Sequence, residues 1–168
     1  AAWSLLGGRP SKVFAMHIGF RARAAQKGRT PEAPGFFMKP PTSLSTGGMV
    51  EMPAGTSIFG FEAEIAIVMG AHAHRVLASE AWERVASVTA SNDLGLFDLR
   101  WVDKGANVRS KGGDGMTPNG PRMLPAERLD PNAIEISAWL DGELVQHDST
   151  STLIFSLPQI VSDLSQLI

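Results

Sequence analysis

The chain has 168 residues, 43% hydrophobic and 19% charged, with a formal net charge of −2, so it reads as one globular domain with no broad nucleic-acid or acidic-membrane footprint. It has no cysteine, which excludes disulfides, thiolate metal sites and cysteine nucleophiles and suits a reducing compartment. No apolar run approaches the roughly 18 residues of a spanning helix, and Ala1 to Gly8 lacks the basic start of a signal peptide, so a cytoplasmic, non-membrane protein is expected.

Seventeen glycines and 11 prolines predict short strands and many turns rather than a helical bundle. Lys12 to Phe20 reads as a strand, and the Ala-rich, basic Arg21 to Lys27 as a helical turn. Arg29 to Pro34, with two prolines, reads as a loop. Phe36 to Leu44 is extended, interrupted by Pro40 and Pro41, which cannot donate to a central ladder. Gly47-Gly48 and Pro53 to Thr56 are turns. Phe59 to Met69 is the strongest strand, apolar on both faces from Ile65 to Met69, which predicts a central position. Ser79 is a candidate cap for a helix through Ala86, with a strand to Ser91 after it. Asn92 to Gly115 is polar and loop-rich. Ile134 to Leu140 alternates, Asp141-Gly142 is a hairpin signal, and Glu143 to Gln146 returns. Ser156 and Gln159 form a capping-box pattern that predicts a helix from Leu157 to Ile168. The mixture predicts an α+β, mainly β domain over residues 1–168. The chain stops inside that last helix pattern, which fits either a natural end or a trimmed one.

Glu62 and Glu64 are two apart, so on a strand both carboxylates face the same side. Beside a core, two such groups repel and resist desolvation, which a cation or a basic partner relieves. Asp93 follows an apolar segment, in a loop where function concentrates. Three carboxylates form a hard oxygen site suited to Mg²⁺, Mn²⁺ or Ca²⁺ rather than Zn²⁺. The same residues also read as solvent-facing carboxylates on an edge strand and a turn aspartate. Lys111 opens the flexible run Gly112-Gly113-Asp114-Gly115, where a backbone can approach a ligand closely. Lys111 is a candidate for holding a substrate carboxylate or a developing enolate; a plain Gly-rich turn is the alternative. The four histidines show no ligand spacing, and no Gly-x-Ser-x-Gly elbow occurs.

These segments, in order, resemble the catalytic domain of the fumarylacetoacetate hydrolase family. Phe37-Met38-Lys39-Pro40 resembles its Phe-x-Lys-Pro segment, Glu62-Ala63-Glu64 its Glu-x-Glu metal strand, and Asn92-Asp93 the Asn-Asp that supplies a third carboxylate. Lys111 to Asp114, Thr117-Pro118 and Gly120-Pro121 are similar to its Lys-x-x-Asp and Pro-x-Gly-Pro run, and Asp141-Gly142-Glu143 with Gln146 to its late hairpin. The resemblance implies a mixed β-sandwich roll, a homodimer, and a divalent cation, Mg²⁺ first with Mn²⁺ and Ca²⁺ as alternatives, on Glu62, Glu64 and Asp93. It implies small 2-oxo or 1,3-diketo carboxylate substrates, hydrolysed, decarboxylated or isomerised through an enolate in aromatic catabolism. One departure bears on the reaction. Where the family has a water-activating His-x-x-Glu pair, this chain has Arg23 and Gln26, and neither serves as a base at neutral pH. Arg23 lies in a basic segment with Arg21, Lys27 and Arg29, read as a lid, and is assigned to binding a second substrate carboxylate. Lys111 is assigned to catalysis and substrate binding. The alternative function is a non-catalytic, metal-dependent metabolite-binding protein that lacks the base.

Overall fold

The computed structural model describes residues 6–168, so the first five residues of the Ala1 to Gly8 stretch lie outside the described residues. Strands and helices are mixed, as an α+β chain requires. In order they are β1 (Phe14–His17), α1 (Arg21–Lys27), β2 (Gly35–Met38), β3 (Leu44–Ser45), β4 (Phe59–Gly60), β5 (Ala63–Met69), α2 (Ala78–Ala81), β6 (Val85–Asn92), β7 (Gly95–Leu96), α3 (Val108–Lys111), β8 (Thr117–Pro118), β9 (Leu124–Pro125), β10 (Glu135–Leu140), β11 (Glu143–Ser149) and α4 (Leu157–Ser165). The chain divides into two compact units. One holds Phe36–Ala66, Thr89–Met123 and the described part of Ala1–Ala15; the other holds Met16–Gly35, Ile67–Val88 and Leu124–Ile168.

The first unit is built from short pairings. β3 runs parallel to β8, with Leu44 opposite Thr117. β4 runs antiparallel to β7, with Phe59 opposite Leu96 and Gly60 opposite Gly95. Leu94, Leu96 and Met116 are buried together, and Val50, Phe59, Phe61 and Leu99 pack on them. Burying that apolar surface is what holds strands of only two residues, which a ladder alone would not.

In the second unit, α1 follows the extended Phe20 and stops at Gly28, whose φ of 63° sends its N–H back to the carbonyls of Ala24 and Ala25. The helical turn expected at Arg21 to Lys27 is therefore present. Arg29 to Pro34 beyond it is irregular, as expected. Val76, Ala81, Val85, Ala126 and Val161 form this unit's core, with Ile67, Ala73 and Trp82 against it. The Ser156 capping box is formed: Gln159 N donates to Ser156 Oγ at 3.4 Å, and Ser156 N to Gln159 Oε1 at 2.8 Å. α4 then buries Leu157, Val161 and Ser165 along one face. It ends at Ser165 rather than Ile168, where Gln166 Nε2 donates to the Ser162 and Val76 carbonyls. At the hairpin tip Asp141 and Gly142 have φ of 52° and 87°, the double positive φ of a tight two-residue turn. The returning strand runs to Ser149, beyond the expected Gln146.

Two expectations fail. β5 is not central: the three-stranded sheet has the order β5-β6-β9, which leaves β5 at an edge and half-buried over most of its length. An apolar run reports that both faces find cover, not how many strands flank it. Ser79 does not cap: α2 starts at Ala78 after Leu77, and a 3-10 turn leads into β6 at Val85, where the expected helix would still have been running. Among the described residues no helix is long and apolar enough to cross a membrane.

Candidate active site

Four of the five predicted site residues fall in the first unit. Glu62 precedes β5 and Glu64 lies within it. Asp93 follows β6, and its backbone N–H donates to the Glu62 carbonyl at 2.9 Å. Asn92 returns the contact, its Oδ1 accepting from Glu62 N at 3.3 Å. Asn92-Asp93 is therefore tied to the Glu-x-Glu segment through backbone groups before any side chain acts. Lys111 is the last residue of α3, a single turn that starts after Asn107 in the left-handed region (φ 55°). Gly112 follows because a Cβ there would stand 2.5 Å from the Val108 carbonyl oxygen and 3.3 Å from Pro40 Cδ.

The Lys111 ammonium is the hub. It donates to Glu62 Oε2, contacts Asp93 Oδ2 at 2.7 Å and donates to the Asp93 carbonyl at 2.9 Å. Its side chain is 7% exposed and that of Asp93 is 10% exposed, so these are charge pairs held largely out of water. A second ammonium, Lys39, bonds the other Asp93 oxygen, Oδ1. Burial pushes the Lys39 pKa down, and the Asp93 carboxylate opposes that. Glu64 has no ammonium of its own at ion-pair distance among the described residues. Burial, and then the charges of Asp93 and Glu62, push its pKa up from 4.5 to about 8. Three carboxylates against two ammonium groups leave one negative charge in excess when all are ionised, and Glu64 carries the strain of it.

The donor set is all hard oxygen, and the excess negative charge at Glu64 is what a divalent cation would relieve, so the residues fit the ion in chemistry. Their present arrangement is neutralised from within. Among the described residues no three acidic or histidine side chains are gathered closely enough to hold a metal as they stand, and the two lysines occupy the carboxylate oxygens instead.

The fumarylacetoacetate (FAA) hydrolase C-terminal family model matches residues 10–168. The chain belongs to the fumarylacetoacetate hydrolase family. It is 32% identical over 157 residues to the 4-hydroxyphenylacetate degradation bifunctional isomerase/decarboxylase of Salmonella dublin, covering 92% of this chain and 37% of that one. A 5-carboxymethyl-2-hydroxymuconate delta-isomerase from Mycobacterium smegmatis superposes with a TM-score of 0.84 at 29% identity, over 95% of this chain and 61% of the other. A fumarylpyruvate hydrolase from Pseudomonas aeruginosa, solved with Mn²⁺ and pyruvate, superposes with a TM-score of 0.83 at 28% identity, over 94% of this chain and 72% of the other. The chain thus spans little over a third of the Salmonella relative and less than two thirds of the Mycobacterium one.

For this family member the structure draws Glu62, Glu64, Asp93 and Lys111 into one electrostatic cluster. Arg23 belongs to the other unit, on α1, half-buried, where its Nη1 donates to Gln26 Oε1 at 3.0 Å. Lys39 was assigned no role from sequence. In the structure Lys39 directly follows β2, and it and Phe37 are buried while Met38 between them is exposed. A buried lysine implies a buried counter-charge.

Proposed function

We propose that this chain is a single catalytic domain of the mixed β-sandwich-roll type. It acts, as a homodimer in the cytoplasm, on a small 2-oxo or enol (di)carboxylate through an enolate, in the breakdown of aromatic compounds. The observation that carries this reading is the cluster of Glu62, Glu64 and Asp93 with Lys39 and Lys111, in which Glu64 lacks a counter-charge. The three carboxylates would hold a divalent cation, Mg²⁺ by preference; the Mn²⁺ of the Pseudomonas relative is in keeping with a cation of this class. When bound, the ion supplies a Lewis acid for a 2-oxo carbonyl and its neighbouring carboxylate. Lys111 then has its carboxylate partners neutralised by another charge, and its ammonium is available to donate to an enolate oxygen as negative charge develops there. Lys39 holds the Asp93 carboxylate in place through its bond to Oδ1. Arg23 binds the second carboxylate of a dianionic substrate with its guanidinium fork.

The Arg23–Gln26 pair at the family's His-x-x-Glu positions favours decarboxylation or keto–enol isomerisation over water-dependent C–C cleavage, because neither side chain takes a proton from water at neutral pH. The same pair supports the second reading, a metabolite-binding protein without turnover. The deciding experiment measures turnover of oxaloacetate and an acylpyruvate with Mg²⁺, with Mn²⁺ and with chelator. Metal-dependent decarboxylation or enol–keto conversion is expected. Tight metal-dependent binding with no turnover would favour the second reading, and neither binding nor turnover would remove both.

A further inference from the structure

We propose that Phe97 is a positioning residue for Lys111, its ring seated in a slot left by two cross-strand glycines. The inference deepens the reading of Lys111 as the enolate-holding group and rests on it. Gly60 and Gly95 are direct partners in the β4–β7 pairing. A Cβ on Gly60 would lie 2.5 Å from Phe97 Cε2, and one on Gly95 would lie 2.7 Å from Phe97 Cε1. Neither glycine is in the left-handed region, so what they supply is space and not backbone freedom. The ring therefore packs against two Cα atoms that no other residue type would leave bare.

Lys111 lies against the same ring. The absent Gly95 Cβ would also stand 3.2 Å from Lys111 Cε, and Lys111 Nζ is 5.5 Å over the Phe97 ring centroid. The ring face is electron-rich and attracts the ammonium at that range. The Arg100 guanidinium stacks over Phe97 at 4.2 Å, and Phe97 N donates to the Ile58 carbonyl at 2.8 Å, so the ring is held from other directions as well. Phe97 is half-buried and stands apart from the Leu94–Leu96–Met116 core cluster. Its contacts with Lys111 matter because the lysine's ionic partners, Glu62 and Asp93, are the groups a cation would compete for. A long, flexible ammonium whose carboxylates are taken needs a second constraint to stay aimed, and the aromatic face supplies one that no cation removes.

The test uses the full chain as wild type, Phe97→Leu, Gly60→Ala, Lys111→Ala, Gly60→Ala/Phe97→Leu and Phe97→Leu/Lys111→Ala. Lysine labelled with ¹³C at Cε, with the Lys111 signal assigned by its loss in Lys111→Arg, reads placement without activity. The wild-type Lys111 ε-methylene signal is expected to be displaced from the other lysines by the ring current and to return towards them in Phe97→Leu and Gly60→Ala. Turnover of a 2-oxo acid with Mn²⁺ reads the consequence. Both single variants should lose about tenfold in kcat, with KM within about threefold. The Gly60→Ala/Phe97→Leu double should be no worse than either single variant, since the smaller side chain clears the slot. In a Lys111→Ala background Phe97→Leu should cost nothing further. An unmoved Lys111 signal, an unchanged kcat, or a full additional loss without Lys111 overturns the proposal. Absence of wild-type turnover would sink the functional reading instead, and the Lys111 signal alone would then decide the placement.

Discussion

Glu64 makes the strongest quantitative demand on cation binding. Its pKa stands at about 8 because burial, Asp93 and Glu62 all disfavour its charge. Below that pH the folded protein keeps a proton on Glu64, and a cation that uses the carboxylate must displace it. For one competing proton, affinity rises about tenfold per pH unit well below the folded pKa and flattens above it, which gives about fiftyfold between about pH 6 and about pH 8. Titration calorimetry with Mn²⁺ in two buffers of different ionisation enthalpy reads this directly. About one proton should be released per ion at about pH 6, and about half a proton at about pH 8. Glu64→Gln should bind more weakly and lose the pH dependence in that window. The same group sets a stability slope of definite sign. The unfolded chain ionises it near 4.5 and the folded chain near 8, so between those values the folded state holds more protons. Metal-free stability therefore falls as pH rises through the window and levels above it. The difference in Tm between wild type and Glu64→Gln, measured near the two ends, should change accordingly. Metal affinity that is flat with pH, with no proton released on the acid side, would refute the assignment of Glu64 as a ligand carrying a raised pKa.

Other consequences follow from the same geometry. Lys111→Ala should lower turnover about 10²-fold or more without weakening Mn²⁺ binding, since it removes an ammonium that competes for the carboxylates; unchanged turnover would remove Lys111 from the chemistry. Lys39→Met leaves the Asp93 carboxylate with Lys111 alone in a buried setting, so urea unfolding should show a loss towards the lower end of about 3–5 kcal/mol; a neutral result would mean that Asp93 needs no second counter-ion. Arg23→Lys keeps the charge but loses the fork, so KM for a 2-oxo dicarboxylate should rise while that for a monocarboxylate analogue scarcely moves. Equal effects on both substrates would mean that Arg23 does not read the second carboxylate.

Local signals were legible where a single physical cause dominates. The Ser156 capping box and the Asp141-Gly142 turn each satisfy or require specific backbone groups, and both formed as expected. Glu62, Glu64, Asp93 and Lys111 were legible as chemistry because carboxylates beside apolar strands demand a counter-charge. Lys111 was the legible part of that counter-charge; its second source was not legible. Lys39 directly follows β2, more than fifty positions before its partner Asp93, and nothing local in the sequence couples them. Gly60 falls in a predicted strand and Gly95 in a stretch read as loop, and nothing marks either until their pairing sets both against the Phe97 ring. The position of β5 failed for the same reason. Strand order is a long-range property, whereas hydrophobic periodicity reports only which faces are covered.

The central claim is that Glu62, Glu64 and Asp93 share one divalent cation that presents a 2-oxo acid to Lys111. A crystal structure with Mn²⁺ and oxalate, a mimic of a 2-oxo acid enolate, tests it most directly. Carboxylate oxygens from all three residues are expected on one ion at about 2.0–2.6 Å, with oxalate completing its coordination and the Lys111 ammonium turned from Glu62 towards an oxalate oxygen. A cation bound elsewhere, or Lys111 and Lys39 still occupying the carboxylates with no ion between them at saturating Mn²⁺, would contradict the account.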